Sequence, residues 1–233
     1  MISVIVPTYN EVRNIGRLIP LIYKALLDHR IEIIVVDDNS PDGTADVAKE
    51  LSKTYPVRVF VRKNERGLAS AVVYGFRRAR GDILAVIDAD LQHPPELLGK
   101  MVELVLRGFD IVVASRYVEG GGVESCSWHR QIISKFAIML SRPLTDIRDP
   151  MSGYFAMKRE VIEGVNLNPV GYKILLEILV KGKYERVIEI PYTFRTRRAG
   201  SSKMGVGEIL NYLRHLYHLY SFKILHERSR NGR

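Results

Sequence analysis

The 233-residue chain is 46% hydrophobic and 26% charged, the balance of a globular protein with apolar mass for one compact domain and a terminal extension. Its formal charge is +9, and from Arg195 onward nine basic residues stand against Glu208 and Glu227, a local +7 that suits the phosphates of a nucleotide or an anionic lipid; the aromatic and glycine signatures of RNA-binding modules are missing, which disfavours nucleic acid. The single Cys126 excludes an internal disulfide, no cysteine–histidine cluster has zinc spacing, and neither a transmembrane run nor a secretory leader is expected, since Met1 leads straight into a strand-like segment.

Apolar, β-branched runs recur at residues 2–6, 33–36, 57–61, 83–87 and 111–114. Helical periodicity separates them, as at Ile15/Leu18/Ile22/Leu26 and Leu97/Leu98/Met101/Val102/Val105. The alternation predicts a Rossmann-like α/β fold, a mainly parallel central sheet with helices on both faces. Neither a Gly-x-Gly-x-x-Gly turn nor a P-loop follows the first strand, which argues against dinucleotide oxidoreductases and P-loop enzymes. The first strand leads instead into Pro7-Thr8-Tyr9-Asn10-Glu11, and the second into Asp37-Asp38-Asn39-Ser40-Pro41-Asp42-Gly43-Thr44, a turn that opens a helix.

Beyond Arg116 the pattern loosens. Residues 119–122 form a glycine-rich loop, and 130–140 read as a helix with Ile132, Ile133, Phe136, Ala137 and Leu140 on one side. Residues 171–180 read as another helix and 187–190 as a strand. A final helix over 207–226 sets Asn211, Arg214, His215, His218 and Ser221 on one side and Ile209, Leu213, Leu216, Tyr217, Tyr220 and Ile224 on the other. Such a helix suits either a membrane interface or cover for the sheet, and the 130–140 helix is a second candidate membrane contact. The expected division is a catalytic domain over 1–203, with a nucleotide and metal half at 1–115 and an acceptor half at 116–203, followed by an amphipathic helix and basic tail at 204–233.

The fourth apolar run ends abruptly in Asp88-Ala89-Asp90. Packing does not explain this, because an ionised carboxylate at a sheet terminus needs a cation or hydrogen-bond donors. At the carboxyl end of a parallel strand such a pair can hold a divalent metal that in turn holds a diphosphate. Asp-x-Asp alone is a weak signal. Glu11 and Asp38 strengthen it, because equivalent strand ends gather along one crevice.

The series Val4-Ile5-Val6-Pro7-Thr8-Tyr9-Asn10-Glu11, Val35-Val36-Asp37-Asp38-Asn39-Ser40-Pro41-Asp42, Arg66-Gly67-Leu68-Ala69-Ser70-Ala71, Asp88-Ala89-Asp90-Leu91-Gln92-His93-Pro94-Pro95-Glu96, Ser115-Arg116-Tyr117, Asp149-Pro150-Met151-Ser152-Gly153 and Gly200-Ser201-Ser202-Lys203 covers almost the whole chain. It resembles the family 2 glycosyltransferases of GT-A fold, and among them the dolichol-phosphate mannose synthases. The resemblance implies that Pro7, Tyr9, Glu11, Val36 and Asp38 hold guanine and ribose, with Asp37 shaping the turn. Asp88, Ala89 and Asp90 would meet ribose and diphosphate. Asp90 and Gln92, with Asp88 as a third candidate, would ligate Mg²⁺ or Mn²⁺, an oxygen-only set appropriate to a hard cation. Arg116, Arg130 and Ser134 match positions that take the acceptor phosphate, and Arg116 also borders the donor. Arg130 and Ser134, four residues apart, share a helix face. Asp90, Arg116, Arg130 and Ser134 are thus the expected catalytic residues. Arg197 and Lys203 belong to a segment that closes over the donor phosphates, and Lys173 is a further donor contact. His93 reads as part of a helix-initiating loop before Pro94-Pro95.

The activity implied is inverting, metal-dependent transfer of mannose from GDP-mannose to dolichyl or another polyprenyl phosphate. It would take place on the cytosolic face of a membrane, with the chain peripheral and anchoring subunits as candidate partners. The alternatives are a UDP-glucose donor, a non-catalytic nucleotide-sugar-binding subunit of a membrane complex, and a soluble acceptor.

Overall fold

The computed structural model describes residues 1–124, 128–168, 171, 173–196 and 206–231. The first half alternates strictly: β1 (Ile2–Thr8), α1 (Val12–Ala25), β2 (Ile31–Asp37), α2 (Thr44–Leu51), β3 (Val57–Val61), α3 (Leu68–Arg78), β4 (Ile83–Val86), α4 (Leu97–Leu106) and β5 (Ile111–Ser115). The second half holds β6 (Gly122–Val123), α5 (Trp128–Ser141), β7 (Phe155–Lys158), a 3-10 turn (Arg159–Ile162), α6 (Ile174–Lys181), β8 (Val187–Pro191), β9 (Thr193–Phe194) and α7 (Val206–Asn231). Strands covered on both faces have no polar side to show, which is why apolar runs mark β1, β2, β4 and β5, whereas the edge strand β3 is half-buried and carries Arg58.

One seven-stranded sheet runs in the order β3-β2-β1-β4-β7-β5-β8, and β6 pairs with β9 separately. The sheet is parallel except for β7, which sits antiparallel between β4 and β5, with Phe155 facing both Val86 and Val113. The sequence pattern did not mark β7. It is four residues long, and Ala156 and Met157 carry no strand preference. Their complete burial comes from the two strands on either side.

Alternate strand residues feed opposite faces. Val4, Val6, Val35, Ala85 and Val112 pack under α1 and α4 with Ile15, Leu18, Ile22, Leu98, Met101 and Val105. Ile5, Leu84, Val86, Val113 and Phe155 pack under α3 and α6 with Val72, Phe76, Leu175 and Ile178.

Helix α7 forms a third layer, where Leu216 and Leu219 meet Ile138, Leu144, Met151 and Leu176. Its buried face follows the expected one only in part: Leu216 is buried and Asn211, Arg214 and His218 are exposed as expected, but other positions are exchanged. His215, assigned to the polar side, is buried with Nε2 3.7 Å from Oε2 of the equally buried Glu177 on α6. Leu213, Tyr217 and Ile224, assigned to the apolar side, are 47%, 71% and 50% exposed. The reason is polar. Glu177 accepts Lys181 Nζ and the Asn168 N–H through Oε1, and the His215 ring is the polar group that α7 brings to its other oxygen. The Tyr212 and Tyr220 hydroxyls donate to the Ala137 and Leu140 carbonyls at 2.5 and 2.6 Å. On α5, Ile133 and Phe136 likewise face outward, and Ile138 instead turns into the core. Among the described residues no helix is long and apolar enough to cross a membrane.

Asp110, just before β5, stitches β7 to β8. Its carboxylate accepts Lys158 Nζ at 2.8 Å and the N–H groups of Glu185 and Arg186 at 2.9 Å. Desolvation favours its neutral form, but these donors outweigh it and hold the carboxyl down from 3.8 to about 2. A depressed carboxyl contributes stability that is complete above the unfolded value and is lost as pH falls through the folded one. The urea midpoint is expected to fall between about pH 4 and about pH 2, and Asp110→Asn to flatten that part of the profile, as measured by circular dichroism.

Candidate active site

The strand order turns back between β1 and β4, and in open α/β sheets ligands bind beyond the carboxyl ends at such a point. Three turns leave this edge, from β2, β1 and β4, through Asn39, Asn10 and Leu91 with φ of 55°, 59° and 60°. Asparagine adopts left-handed backbone readily, whereas Leu91 carries a penalty of roughly 1–2 kcal/mol there. The surrounding bonds hold it. Asp90 Oδ1 accepts the Gln92 N–H at 3.1 Å, and Gln92 and Arg195 exchange two bonds at 2.9 Å.

On the nucleotide side, Asp37 is consumed by the turn, accepting the hydroxyls of Thr8 and Ser40 and the Ser40 N–H. Asp38 is buried against Arg62, whose Nε donates to Oδ1 at 2.7 Å, while Oδ2 accepts the Gly67 N–H at 2.8 Å. Gly67 has φ of 139°, a conformation a side chain strongly disfavours, and this aims its amide at the carboxylate. A nucleotide contact at Asp38 therefore shares a carboxylate already held by Arg62. Tyr9 lies under the Arg66 guanidinium at 5.0 Å, and Glu11 accepts the Asn14 side-chain amide. Pro7 and Val36 are buried strand residues, the latter packed with Ile34 and Ala71.

Beside them, Asp88, Ala89 and Asp90 follow β4 directly. Asp88 Oδ2 lies 3.2 Å from His93 Nε2, and its Oδ1 is buried with no partner among the described residues. A Cβ at Gly153 would stand 3.0 Å from Oδ2, so glycine lets the backbone close on this carboxylate. The Gln92 Nε2 amide donates to the Arg195 carbonyl, which leaves Oε1 as the arm of that amide able to meet a cation. Asp88, with its bare buried oxygen, Asp90 and Gln92 lie in the one loop after β4 and offer oxygen donors. Such donors fit Mg²⁺ or Mn²⁺, with phosphate oxygens completing the shell.

Arg116 follows β5 directly. Its Nε and Nη2 form a two-pronged pair with the fully buried Asp149 at 2.8 Å, and its own N–H adds a third bond. Burial alone would lower the Arg116 pKa, but Asp149 raises it well above the ordinary value, so the guanidinium stays charged. Nη1 stands outside the pair. Tyr117 and Phe194 flank the guanidinium at 5.2 and 5.6 Å. The Ser134 hydroxyl meets Tyr117 OH at 2.9 Å, which brings α5 to the Arg116 turn. Arg130 lies in the first turn of α5, but its side chain falls outside the described residues, as do Arg197 and Lys203. Lys173 immediately precedes α6.

Three residues here have no site role legible in the sequence: Arg62, Asp149, which appears only within a motif, and His93, which reads as part of a helix-initiating loop. The first two are partners of Asp38 and Arg116 at separations of 24 and 33 residues, pairings that local pattern does not encode. The Asp149-Pro150-Met151-Ser152-Gly153 motif was itself a signal for Asp149.

The glycosyl transferase family 2 pattern matches residues 3–165. A dolichol-phosphate mannosyltransferase of Pyrococcus furiosus is 52% identical over 226 residues, covering 95% of this chain and 64% of that protein. The chain therefore spans less than two thirds of that relative's length. The dolichol-phosphate mannosyltransferase of Saccharomyces cerevisiae is 41% identical over 235 residues, 95% of this chain and 87% of that protein. Among solved structures, glucosyl-3-phosphoglycerate synthase from Mycobacterium tuberculosis, crystallised with Mn²⁺, UDP and glucosyl-3-phosphoglycerate, superposes with a TM-score of 0.69 at 20% identity. The match covers 96% of this chain and 79% of that one and establishes the GT-A fold. The pattern match across most of the sheet and the identity to both relatives agree: the chain belongs to glycosyl transferase family 2, in the group of the dolichol-phosphate mannosyltransferases.

Proposed function

We propose that the chain transfers mannose from GDP-mannose to dolichyl or another polyprenyl phosphate, with inversion, at a membrane surface. One observation carries the reading: an oxygen-only donor set at Asp88, Asp90 and Gln92 shares an edge of the sheet with a guanidinium, Arg116, that Asp149 keeps charged and oriented. The names of the relatives point the same way.

Asp88 and Asp90 hold the donor end, and Gln92 presents its carbonyl oxygen there because its amide nitrogen is engaged. Bound at these oxygens, Mg²⁺ or Mn²⁺ supplies charge neutralisation for the diphosphate leaving group. Arg116, fixed through Nε and Nη2, offers Nη1 to an acceptor phosphate, and Ser134 and Arg130 add donors from α5. A lipid phosphate is already anionic near neutral pH, so no side chain has to remove a proton before its oxygen attacks the anomeric carbon. Attack from the face opposite the diphosphate gives inversion. The protein's contribution is alignment and charge stabilisation.

The lipid reading draws further support from the outer surface. Ile133, Phe136 and Met139 of α5 and Leu210, Leu213, Tyr217, Ile224 and Leu225 of α7 are all exposed, an apolar outer face on the two helices that pack together beside Ser134. Lys135 on α5, Arg142 just after it, and Arg214 and Lys223 on α7 suit anionic headgroups.

Incubation with labelled GDP-mannose, Mn²⁺ and dolichyl phosphate is expected to yield an organic-extractable product, with chelation abolishing it and Asp90→Ala lowering turnover roughly 100-fold. Transfer from UDP-glucose and not from GDP-mannose would move the assignment to the glucosyl donor; binding without transfer to any polyprenyl phosphate would leave a nucleotide-sugar-binding subunit.

Flotation with anionic vesicles is expected to recover the wild-type chain and to lose Phe136→Glu combined with Leu213→Glu, both exposed sites where a charge leaves the fold intact by circular dichroism. Equal flotation of both proteins would remove α5 and α7 as the membrane contact.

A further inference from the structure

His93 is 3% exposed and sits among three aromatic rings from separate parts of the chain, with centroids 5.1 Å from Tyr154, 5.4 Å from Tyr192 and 5.3 Å from Phe194. The Tyr154 hydroxyl donates to the Pro94 carbonyl at 2.8 Å and pins the loop on which the ring is carried. Within this cage the imidazole has one polar contact among the described residues, from Nε2 to Asp88 Oδ2 at 3.2 Å, and Nδ1 has none. An ionised carboxylate only accepts, so Nε2 is the donor to Asp88, and Nδ1 is left buried without a hydrogen-bond partner among the described residues. If packing were the sole requirement, phenylalanine would fill the cage without burying an unpaired nitrogen. The one return for the histidine is its bond to Asp88.

We infer that His93 is a positioning residue for the donor site, fixing the Asp88 carboxylate so that Oδ1 alone is presented to the nucleotide diphosphate and its metal. Gly153 has no side chain to crowd this carboxylate, since a Cβ there would stand 3.0 Å from the same Oδ2. The same cage ties Asp88 to Tyr192 and Phe194, and the chain continues from there to Arg195, which holds the Gln92 amide. Two of the donor-site oxygens are thereby set by one segment, residues 192–195. This inference rests on the donor-site reading above but not on the identity of the sugar or the acceptor.

The test sets packing against hydrogen bonding. His93→Phe keeps the ring and loses the donor, whereas His93→Gln keeps a donor nitrogen at the same reach and leaves the cage partly empty. Affinities for GDP and for UDP with Mn²⁺ are measured by calorimetry, and thermal midpoints on the same samples. His93→Phe is expected to weaken nucleotide binding about 10-fold and His93→Gln by no more than about threefold, although Gln lowers the thermal midpoint more. In an Asp88→Ala background, His93→Phe is expected to change affinity by less than about twofold, because the carboxylate it acts through is gone. The opposite order, with Phe binding as wild type and Gln weakened, makes His93 a packing residue and overturns the inference. An equal loss with and without the Asp88 carboxylate overturns it too. Binding of UDP alone would refute the guanine assignment while the same comparison on UDP still decides the role of His93; binding of neither nucleotide by the wild type would refute both.

Discussion

Acidic groups crowd the carboxyl edge of this sheet, and the fold depends on how each one is compensated. Asp37 is satisfied by Thr8 and Ser40, Asp38 by Arg62 and the Gly67 amide, and Asp149 by three bonds from Arg116. In the two ion pairs, Asp38–Arg62 and Asp149–Arg116, removing one member would leave the other's charge poorly compensated, at a cost of several kcal/mol. Asp88 differs, with one oxygen bonded to an imidazole and the other enclosed and bare. A buried carboxylate oxygen without a donor calls for a cation or a hydroxyl from outside the chain. The contrast sets Asp88 apart from residues that look alike in the sequence.

Arg116 belongs to both categories. Its pairing with Asp149 uses one edge of the guanidinium, and Glu189 of β8 holds the Asp149 turn through the N–H groups of Arg148 and Asp149 at 2.7 and 2.9 Å. An arginine bound on one edge loses little further freedom when a phosphate meets the other. Lysine in its place would keep the charge and lose the orientation.

The nucleotide half was legible in the sequence because its strands are buried on both faces and its turns carry their own chemistry. Residues 57–61 coincide with β3, and the turn residues Asn10 and Asn39 have the positive φ that asparagine tolerates. Leu91 gives no such sign, because its backbone is imposed by Asp90 and by the clasp between Gln92 and Arg195. The second half resisted for related reasons. β7 is a strand only because β4 and β5 flank it, and the docking face of α7 is chosen by a buried carboxylate on α6 that hydrophobic periodicity does not register. His93 looked like punctuation before two prolines; its surroundings come from residues 154, 192 and 194, far along the chain.

That same unexpected docking face bears on the proposed acceptor. Had α7 buried Leu213, Tyr217 and Ile224, the α5–α7 layer would present mostly polar groups to solvent; instead His215 turns inward and the apolar side chains remain outside. Helix α5 joins the two environments within about one turn, since Ser134 meets Tyr117 beside Arg116 while Ile133 and Phe136 face outward. A polyprenyl phosphate makes the same demand over a similar distance, because its head must reach fixed cations while its chain stays in an apolar phase. A soluble phosphate acceptor would need the first feature and not the second. The exposed Phe136 and Met139 are the side chains that the proposed lipid acceptor would use.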